Sequence, residues 1–347
     1  MIRRRLYILI ILLAVWVSSF GQQDPQFTQY MYTILPINPG YAGNAGICAS
    51  LNYRQQWAGF REINPFTLEE SKVAPMNSMV SIHSPIKALH GGLGLTIYSD
   101  RIGHQNDIAV KLAYSFRLNI GGGNLGIGLS GDFLSRTTKT SEFVYAPDGG
   151  PSQSVEDAIL NAMSGSDMHI DVSFGAFYQM QNKWYAGISA TQLISAIGGD
   201  KDKQKGARHF YILGGYEFQL AANPDWSLKP CALIKTDLSM PQIDLTLLAS
   251  YTQLVWFGVS YRMVDAVAIL GGIKPFINSK SAIRGLEIVG SYDITSSKML
   301  RMGKDYSGRS YGGYEFCIKY CFNIVTIPPI YGYKGTRLLG NKPIEYR

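Results

Sequence analysis

Segments of about ten residues, in which apolar and polar side chains alternate, make up most of this chain. In the clearest segment every second residue is apolar, and these are Ile108, Val110, Leu112, Tyr114, Phe116 and Leu118. A period of two predicts a β-strand with one wholly apolar face. Because such segments recur along nearly the whole length, we predict an all-β fold, a transmembrane antiparallel barrel of the outer-membrane type.

The composition favours this architecture over a soluble sandwich. Of 347 residues, 37 are glycine and 22 are tyrosine, only 16% are charged, and the mean hydropathy is +0.00. Apolar residues are therefore spread evenly and are not concentrated in a long membrane-spanning helix.

The N-terminus has the pattern of a secretory signal peptide. Arg3, Arg4 and Arg5 precede the apolar stretch 6–17, and small residues follow at 18–21. We expect residues 1–21 to be removed after export. Loss of these three arginines lowers the formal net charge of +7 by three, so nucleic-acid binding is not indicated.

The alternating segments predict about fourteen strands, an even number as outer-membrane barrels require. They extend over 47–60, 77–86, 91–102, 106–119, 124–138, 168–181, 184–195, 207–221, 226–238, 242–253, 255–265, 267–277, 283–295 and 312–323. The barrel is thus predicted over residues 47–323.

The connections between these strands predict an orientation. With both termini in the periplasm, the long connections 61–76, 139–167, 196–206 and 296–311 lie outside and the short turns inside. The tryptophans of the mature chain fall at strand ends, where we expect a girdle at the lipid headgroups, and these are Trp57, Trp184, Trp226 and Trp256.

Charges of both signs occupy the face opposite to the apolar one, which indicates a hydrated, salt-bridged lumen and not a selective ion pore. These inward residues are Arg54, Lys111, Arg117, Asp132, Asp171, Glu217, Lys235, Asp244, Arg262, Glu287, Glu315 and Lys319.

Four cysteines are present, Cys48, Cys231, Cys317 and Cys321, and their spacing is not that of a zinc site. Closure of the barrel brings the first strand beside the last, which permits a disulfide between Cys48 and Cys321. The alternative is that each cysteine is a small buried residue.

Motifs for catalysis are weak, and we predict no enzyme activity, cofactor or metal. The glycines of 121–126 fit a dinucleotide-binding string, but they lie in a turn that opens a strand, without the helix that would hold a pyrophosphate. Residues 128–132 approach a nucleophile elbow, but Asp132 replaces its final glycine. Ser81 and His83 share one strand face, and a lipase built on them would need a third polar group.

Three elements near the first strand carry more information. Residues 23–31 read QDPQFTQYM, residues 37–44 read INPGYAGN, and residues 51–60 read LNYRQQWAGF. This ordered set resembles the PorP/SprF family of type IX secretion system outer-membrane proteins, although Gly40 stands where the family more often has alanine. The residues that carry the resemblance are Asp24, Pro25, Gln26, Phe27, Gln29, Tyr30, Asn38, Pro39, Tyr41, Ala42, Gly43, Tyr53, Arg54, Gln56 and Trp57.

The resemblance implies a non-enzymatic component of the outer membrane that supports secretion or surface anchoring of an adhesin-type partner, with a gliding-motility role in some relatives. Implied partners are membrane lipid, other type IX components, including periplasmic or peptidoglycan-linked proteins, and a large secreted surface protein. The rival interpretation is an uptake channel for hydrophobic solutes, which needs a continuous apolar path.

Two further segments flank the predicted barrel. Residues 22–46 lack strand alternation but are rich in aromatic side chains, so we predict a plug in or beneath the barrel, since about fourteen strands enclose more space than their own side chains fill. The alternative is a flexible periplasmic leader. The tail 324–347 carries an excess of basic residues, and we interpret it as a periplasmic contact arm.

Overall fold

A computed structural model describes residues 26–44, 46–63, 70–138, 165–180, 183–194, 207–221, 223–238, 240–263, 265–277, 282–295 and 311–322. Most of these residues belong to one antiparallel sheet. None of the helices in this part of the chain is long and apolar enough to cross a membrane.

Fourteen strands form the sheet. They are β1 Ile47–Gln55, β2 Met76–Ile86, β3 Gly91–Ile102, β4 Gln105–Ile120, β5 Gly123–Thr138, β6 Gly165–Met180, β7 Trp184–Thr191, β8 His209–Tyr216 continued by Phe218–Leu220, β9 Asn223–Thr236, β10 Pro241–Tyr251, β11 Val255–Arg262, β12 Ala266–Ile273, β13 Leu286–Thr295 and β14 Gly313–Phe322. Short 3-10 turns lie at Pro39–Tyr41, Lys87–Leu89 and Ala282–Gly285, and a two-residue ribbon pairs Glu62–Ile63 with Glu70–Ser71.

The sheet closes on itself. Each strand pairs with its neighbours in sequence, and β1 also pairs with β14, from Ile47 opposite Phe322 to Gln55 opposite Tyr314. β8 joins β7 to β9 and completes the ring. The predicted fourteen-strand antiparallel barrel is confirmed, because each strand pairs with a neighbour on both of its sides.

Burial along the strands is the reverse of that in a soluble protein. In β4 the charged side chains of Lys111 and Arg117 are buried, whereas Leu112 on the opposite face is 54% exposed. The barrel therefore presents its apolar rows outward, where lipid covers them, and its polar rows to the lumen. The predicted inward charges lie on the lumen side and are buried, except for Glu217 and Lys319, which are partly buried.

We distinguish the two ends of the barrel by β1. The "turn end" is where β1 begins at Ile47, and the "loop end" is where it finishes at Gln55. At the turn end, Gly121 and Gly122 alone join β4 to β5 and have φ values of +61° and +82°. A two-residue hairpin with positive φ at both positions favours glycine. The interpretation of these glycines as a turn that opens a strand is confirmed.

The expected tryptophan girdle is wrong for one member. Trp184 begins β7 with a partly exposed ring, and Trp226 packs 5.2 Å from the ring of Tyr251, between centroids. Trp256 is instead 4% exposed and faces the lumen. The physical reason is strand parity, because Val255 and Phe257 on either side of it take the outward positions.

The seam between the first and last strands contains a disulfide. Cys48 lies directly opposite Cys321 in the β1–β14 register, and the structure joins the two as a disulfide. Cys231 and Cys317 are free and buried. Peptide mapping without reductant tests the link in the isolated protein, where a linked pair of peptides is the expected product.

Candidate functional site

The lumen is occupied by residues 26–44, which we call the N-terminal segment. Phe27, Tyr30 and Tyr41 in it are at most 8% exposed. At one end, the side chain of Gln26 donates to Gln242, near the start of β10, with 2.6 Å between Nε2 and Oε1. At the other end, Asn44 hydrogen-bonds Gln179, one residue before β6 ends. The N-terminal segment therefore runs through the barrel from the loop end to the turn end.

Near the loop end the barrel wall carries a buried group of charges. Arg54 of β1 pairs with Asp293 of β13 at 2.8 Å between Nη2 and Oδ2, and its Nε lies 3.8 Å from Oε2 of Glu315 in β14. Asn52 donates to Glu315 at 2.9 Å between Nδ2 and Oε1. We call Arg54, Asp293, Glu315 and Arg262 the loop-end cluster. Removal of Arg54 would leave Glu315 buried without its ion-pair partner.

The N-terminal segment binds this cluster through its backbone and short polar side chains. The amide of Thr28 donates to Oε2 of Glu315 at 2.7 Å, and the amide of Gln29 donates to Oε1 at 3.3 Å. The Thr28 hydroxyl donates to Asp293 at 2.8 Å, and the carbonyl of Gln26 accepts from Arg54. Hydrogen bonds to ionised groups are stronger than neutral ones, so this cluster fixes the start of the segment.

Arg262 extends the cluster around the wall. Its Nε lies 3.2 Å from Oδ2 of Asp244, and its Nη1 lies 3.2 Å from Oδ2 of Asp265. Its Nη2 also donates to the hydroxyl of Thr28 at 3.1 Å. Thr28 is thus held by charged groups from both sides, since it donates to Asp293 and accepts from Arg262.

An aromatic contact holds the middle of the segment. The Tyr32 ring stacks on Trp256 with 5.6 Å between centroids, and both side chains donate to Oε1 of Glu287, at 2.9 and 3.1 Å. Lys319 lies 5.7 Å above the Tyr32 ring. Stacking on Trp256 and the shared Glu287 acceptor together hold Tyr32 against the barrel wall.

Toward the turn end, Asn38 takes the central role. Its Nδ2 donates to the carbonyls of Ala176 and Ile188 at 3.0 and 3.2 Å, and its Oδ1 accepts from the amide of Gly40 at 2.9 Å. Wall side chains bind the following carbonyls, with Ser115 donating to Gly40 at 3.0 Å and Arg117 to Ala42 at 2.9 Å. The barrel therefore binds this turn through the Asn38 side chain and through the backbone carbonyls of Gly40 and Ala42.

Glycines in the wall make room for this turn. A Cβ on Gly128 of β5 would lie 2.5 Å from the carbonyl carbon of Pro39 and 2.6 Å from the nitrogen of Gly40. Contacts this short with backbone atoms cannot be relieved by a side-chain rotation. Only glycine at position 128 leaves space for the turn.

We expect Gly128→Val to displace residues 39–41 and expose the N-terminal segment to protease. The matched control is Gly131→Val in the same strand, where an added Cβ meets nothing within 4 Å. Digestion of both purified barrels, followed by mass spectrometry of the released peptides, measures the effect. Equal protection of the segment in both variants contradicts this account of Gly128.

The structure brings many of the residues of the family motifs together in the lumen. Gln26, Phe27, Gln29, Tyr30, Asn38, Pro39, Tyr41, Ala42, Gly43 and Arg54 are all in or against the N-terminal segment. Tyr53 instead faces outward, 6.3 Å from the ring of Tyr314, and Gln56 and Trp57 leave β1 at the loop end. Asp24 and Pro25 lie outside the described residues.

The sequence analysis did not identify two residues that are central to this site, which are Asp293 of the loop-end cluster and Thr28, which binds it. The signal for Asp293 was present, because it shares strand parity with Glu287, three alternations earlier in β13. Thr28 had no such signal, since the N-terminal segment lacks a periodic pattern.

Ser81 and His83, which were considered above as a lipase pair, make contacts within the wall and with the N-terminal segment. The Ser81 hydroxyl shares a hydrogen bond of 2.7 Å with Ser50, and the His83 ring packs edge-on against Tyr41 at 5.2 Å between centroids. Across the described ranges, no group of three or more His, Cys, Asp or Glu residues is arranged to hold a metal. The wall residues described above hold a polypeptide segment inside the lumen.

Comparison with known families identifies one match. The family described as "Type IX secretion system membrane protein PorP/SprF" matches residues 19–320. A search of curated proteins finds no significant match.

Several solved outer-membrane proteins are similar in structure at low identity. A Pseudomonas aeruginosa FadL homologue is 12% identical, with 87% of this chain and 96% of that chain covered and a TM-score of 0.43. The Pseudomonas putida toluene transporter TodX is 8% identical, with 82% and 92% covered and a TM-score of 0.44. The Acinetobacter baumannii outer membrane protein Omp33 is 7% identical, with 80% and 100% covered and a TM-score of 0.41.

Proposed function

Because the chain belongs to the PorP/SprF family of type IX secretion system membrane proteins, an outer-membrane barrel component of that system, we propose that it supports secretion or surface anchoring of an adhesin-type partner. The partner is a large cell-surface protein, with a role in gliding motility where the cell glides. The barrel acts by docking proteins at its two ends, not by conducting them through its lumen.

The observation that carries this proposal is the occupied lumen. Residues 26–44 fill the barrel and bind buried charges of its wall, so a partner meets the loop end or the turn end and not an open pore. In this proposal residues 1–21 are the removed signal, 22–46 the plug, 47–323 the barrel and 324–347 a periplasmic tail. The loop end faces the cell exterior, where the long connections hold the secreted partner.

Deletion of the gene, followed by proteomics of the cell surface and the medium, tests the function. Loss of one surface protein indicates a cargo-specific component, and loss of many indicates a core component. Complementation with the wild-type gene is the control. An unchanged surface and medium proteome contradicts the proposal.

The rival function, uptake of hydrophobic solutes, is opposed by the lumen chemistry. An apolar solute would have to pass the buried ion pairs of Arg54 and Arg262, and then the hydrogen-bonded backbone of residues 38–42. Desolvation of such groups without new partners is costly. Solute uptake by liposomes that contain the wild-type barrel would favour this rival.

The tail provides a prediction about the periplasmic side. Residues 324–347 lie outside the described residues, and they follow β14, which ends at the turn end. Lys334, Arg337, Lys342 and Arg347 are opposed there only by Glu345.

We expect deletion of 324–347 to weaken co-purification of periplasmic or peptidoglycan-linked components, while the barrel still inserts. A variant in which the four basic residues are changed to glutamine keeps the length of the tail and removes its positive charge. Unchanged co-purification in both variants would refute the contact-arm role.

A further inference from the structure

We propose that a cleft on the outer face of the barrel at the loop end binds the phosphate of an anionic lipid. The cleft has a volume of about 220 Å³ and lies between the ends of β1, β2, β3 and β14. Its lining includes three cations, Arg61, Lys72 and Arg101, beside the aromatic side chains of Phe60 and Tyr314.

Among the residues that the structure describes, the cations that line this cleft outnumber the carboxylates beside it. Arg61 pairs with Glu70, and both of these side chains are nearly half exposed. Neither Lys72 nor Arg101 has an ion-pair partner among the residues that the structure describes, and both are exposed. An exposed excess of cations attracts phosphate groups, and arginine binds them through two donors at once.

The position of the cleft indicates a lipid and not a soluble anion. Arg101 follows Ile97 on the same outward row of β3, and Ile97 is 44% exposed on the apolar face. Met76 precedes Val80 in the same way on β2, and Val80 is 51% exposed. Four residues of strand span about 13 Å, so the cations lie just beyond the apolar band, at headgroup level.

The aromatic residues fit the same ligand. Tyr314 and Phe316 share the outward face of β14, with 5.9 Å between their ring centroids. Rings of this kind are enriched at the membrane interface, where one side contacts acyl chains and the other the headgroups. The inference rests on the proposed orientation only in placing this cleft in the outer leaflet, whose lipid would then be a phosphorylated lipid A.

Binding of lipid A to the full-length barrel in detergent tests the inference. We expect Lys72→Gln with Arg101→Gln to weaken binding of bisphosphorylated lipid A by about tenfold. The control is Lys87→Gln with Lys183→Gln, which removes the same charge from exposed lysines at the turn end and leaves the affinity unchanged.

Two further binding measurements identify the source of the phosphate. Lipid A without phosphate should bind the wild-type barrel as weakly as the double variant binds the bisphosphorylated form. Inorganic phosphate at the same concentration should not compete, and full competition would assign the cleft to a free anion. An equal loss of affinity in both double variants, or no loss in either, overturns the inference. Neither result bears on the proposed secretion function, which the gene deletion tests separately.

Discussion

Truncation of Arg54 to alanine should destabilise the barrel by about 3–5 kcal/mol, because it leaves the carboxylates of Asp293 and Glu315 buried without their nearest cation. The change also removes the hydrogen bond to the carbonyl of Gln26. We therefore expect a lower denaturant midpoint in detergent, together with faster proteolysis of the N-terminal segment. Unfolding monitored by the loss of heat-modifiable migration on gels measures the first effect.

The matched control is Arg61→Ala, which removes the same charge near the same strand. Its pair with Glu70 is exposed, with 48% and 45% of the two side chains accessible. Exposed pairs contribute little, so the change in unfolding free energy should stay within about 1 kcal/mol. If both alanine variants unfold at the wild-type midpoint, burial of the loop-end cluster does not stabilise the barrel.

Most of the barrel wall could be predicted from the sequence, because strand parity is a local property. The alternation in β4 and the inward position of Lys111 follow from a period of two, and the structure confirms both. The predicted ends of the strands were less accurate. The first strand was predicted to reach residue 60, but β1 ends at Gln55 because the chain turns at Trp57, whose φ is +49°.

Strand parity, which predicts most of the wall correctly, also predicts the position of Trp256, where the argument from residue type is wrong. The girdle argument used residue type, whereas parity relative to the inward Arg262 already placed Trp256 on the lumen face. A large indole ring can face the lumen only because Tyr32 and Glu287 supply a stacking surface and an acceptor. Where residue type and parity disagree in a barrel, a filled lumen makes parity the better guide.

The route of the N-terminal segment could not be predicted. Its aromatic content indicated burial, but direction depends on long-range contacts such as those of Thr28 with Asp293 and Asn38 with the carbonyl of Ala176. These contacts join residues more than a hundred positions apart, and no pattern in the sequence specifies such pairs. The position of Gln26 near the loop end, far along the lumen from Ile47, is the main result that required the structure.

Deletion of residues 26–44 should open the lumen to ions. Fourteen strands enclose more space than their inward side chains fill, so the remaining wall of charged residues would surround water. We expect ion flux through proteoliposomes to rise by roughly tenfold or more over the wild-type barrel. Planar-bilayer recordings should show conductance steps that the wild-type barrel lacks.

Deletion of a buried segment also risks misfolding, so the open barrel needs an internal test. A synthetic peptide of residues 22–44, added to the deletion variant, should restore closure by making the same contacts with Glu315 and Arg117. A peptide of the same composition in scrambled order is the control, because closure depends on the register of those contacts and not on bulk. Equal conductance in the wild-type and deleted barrels, both with folded migration on gels, would mean that another part of the chain closes the lumen. Block by both peptides alike would mean that any polypeptide fills it, without recognition by the loop-end cluster.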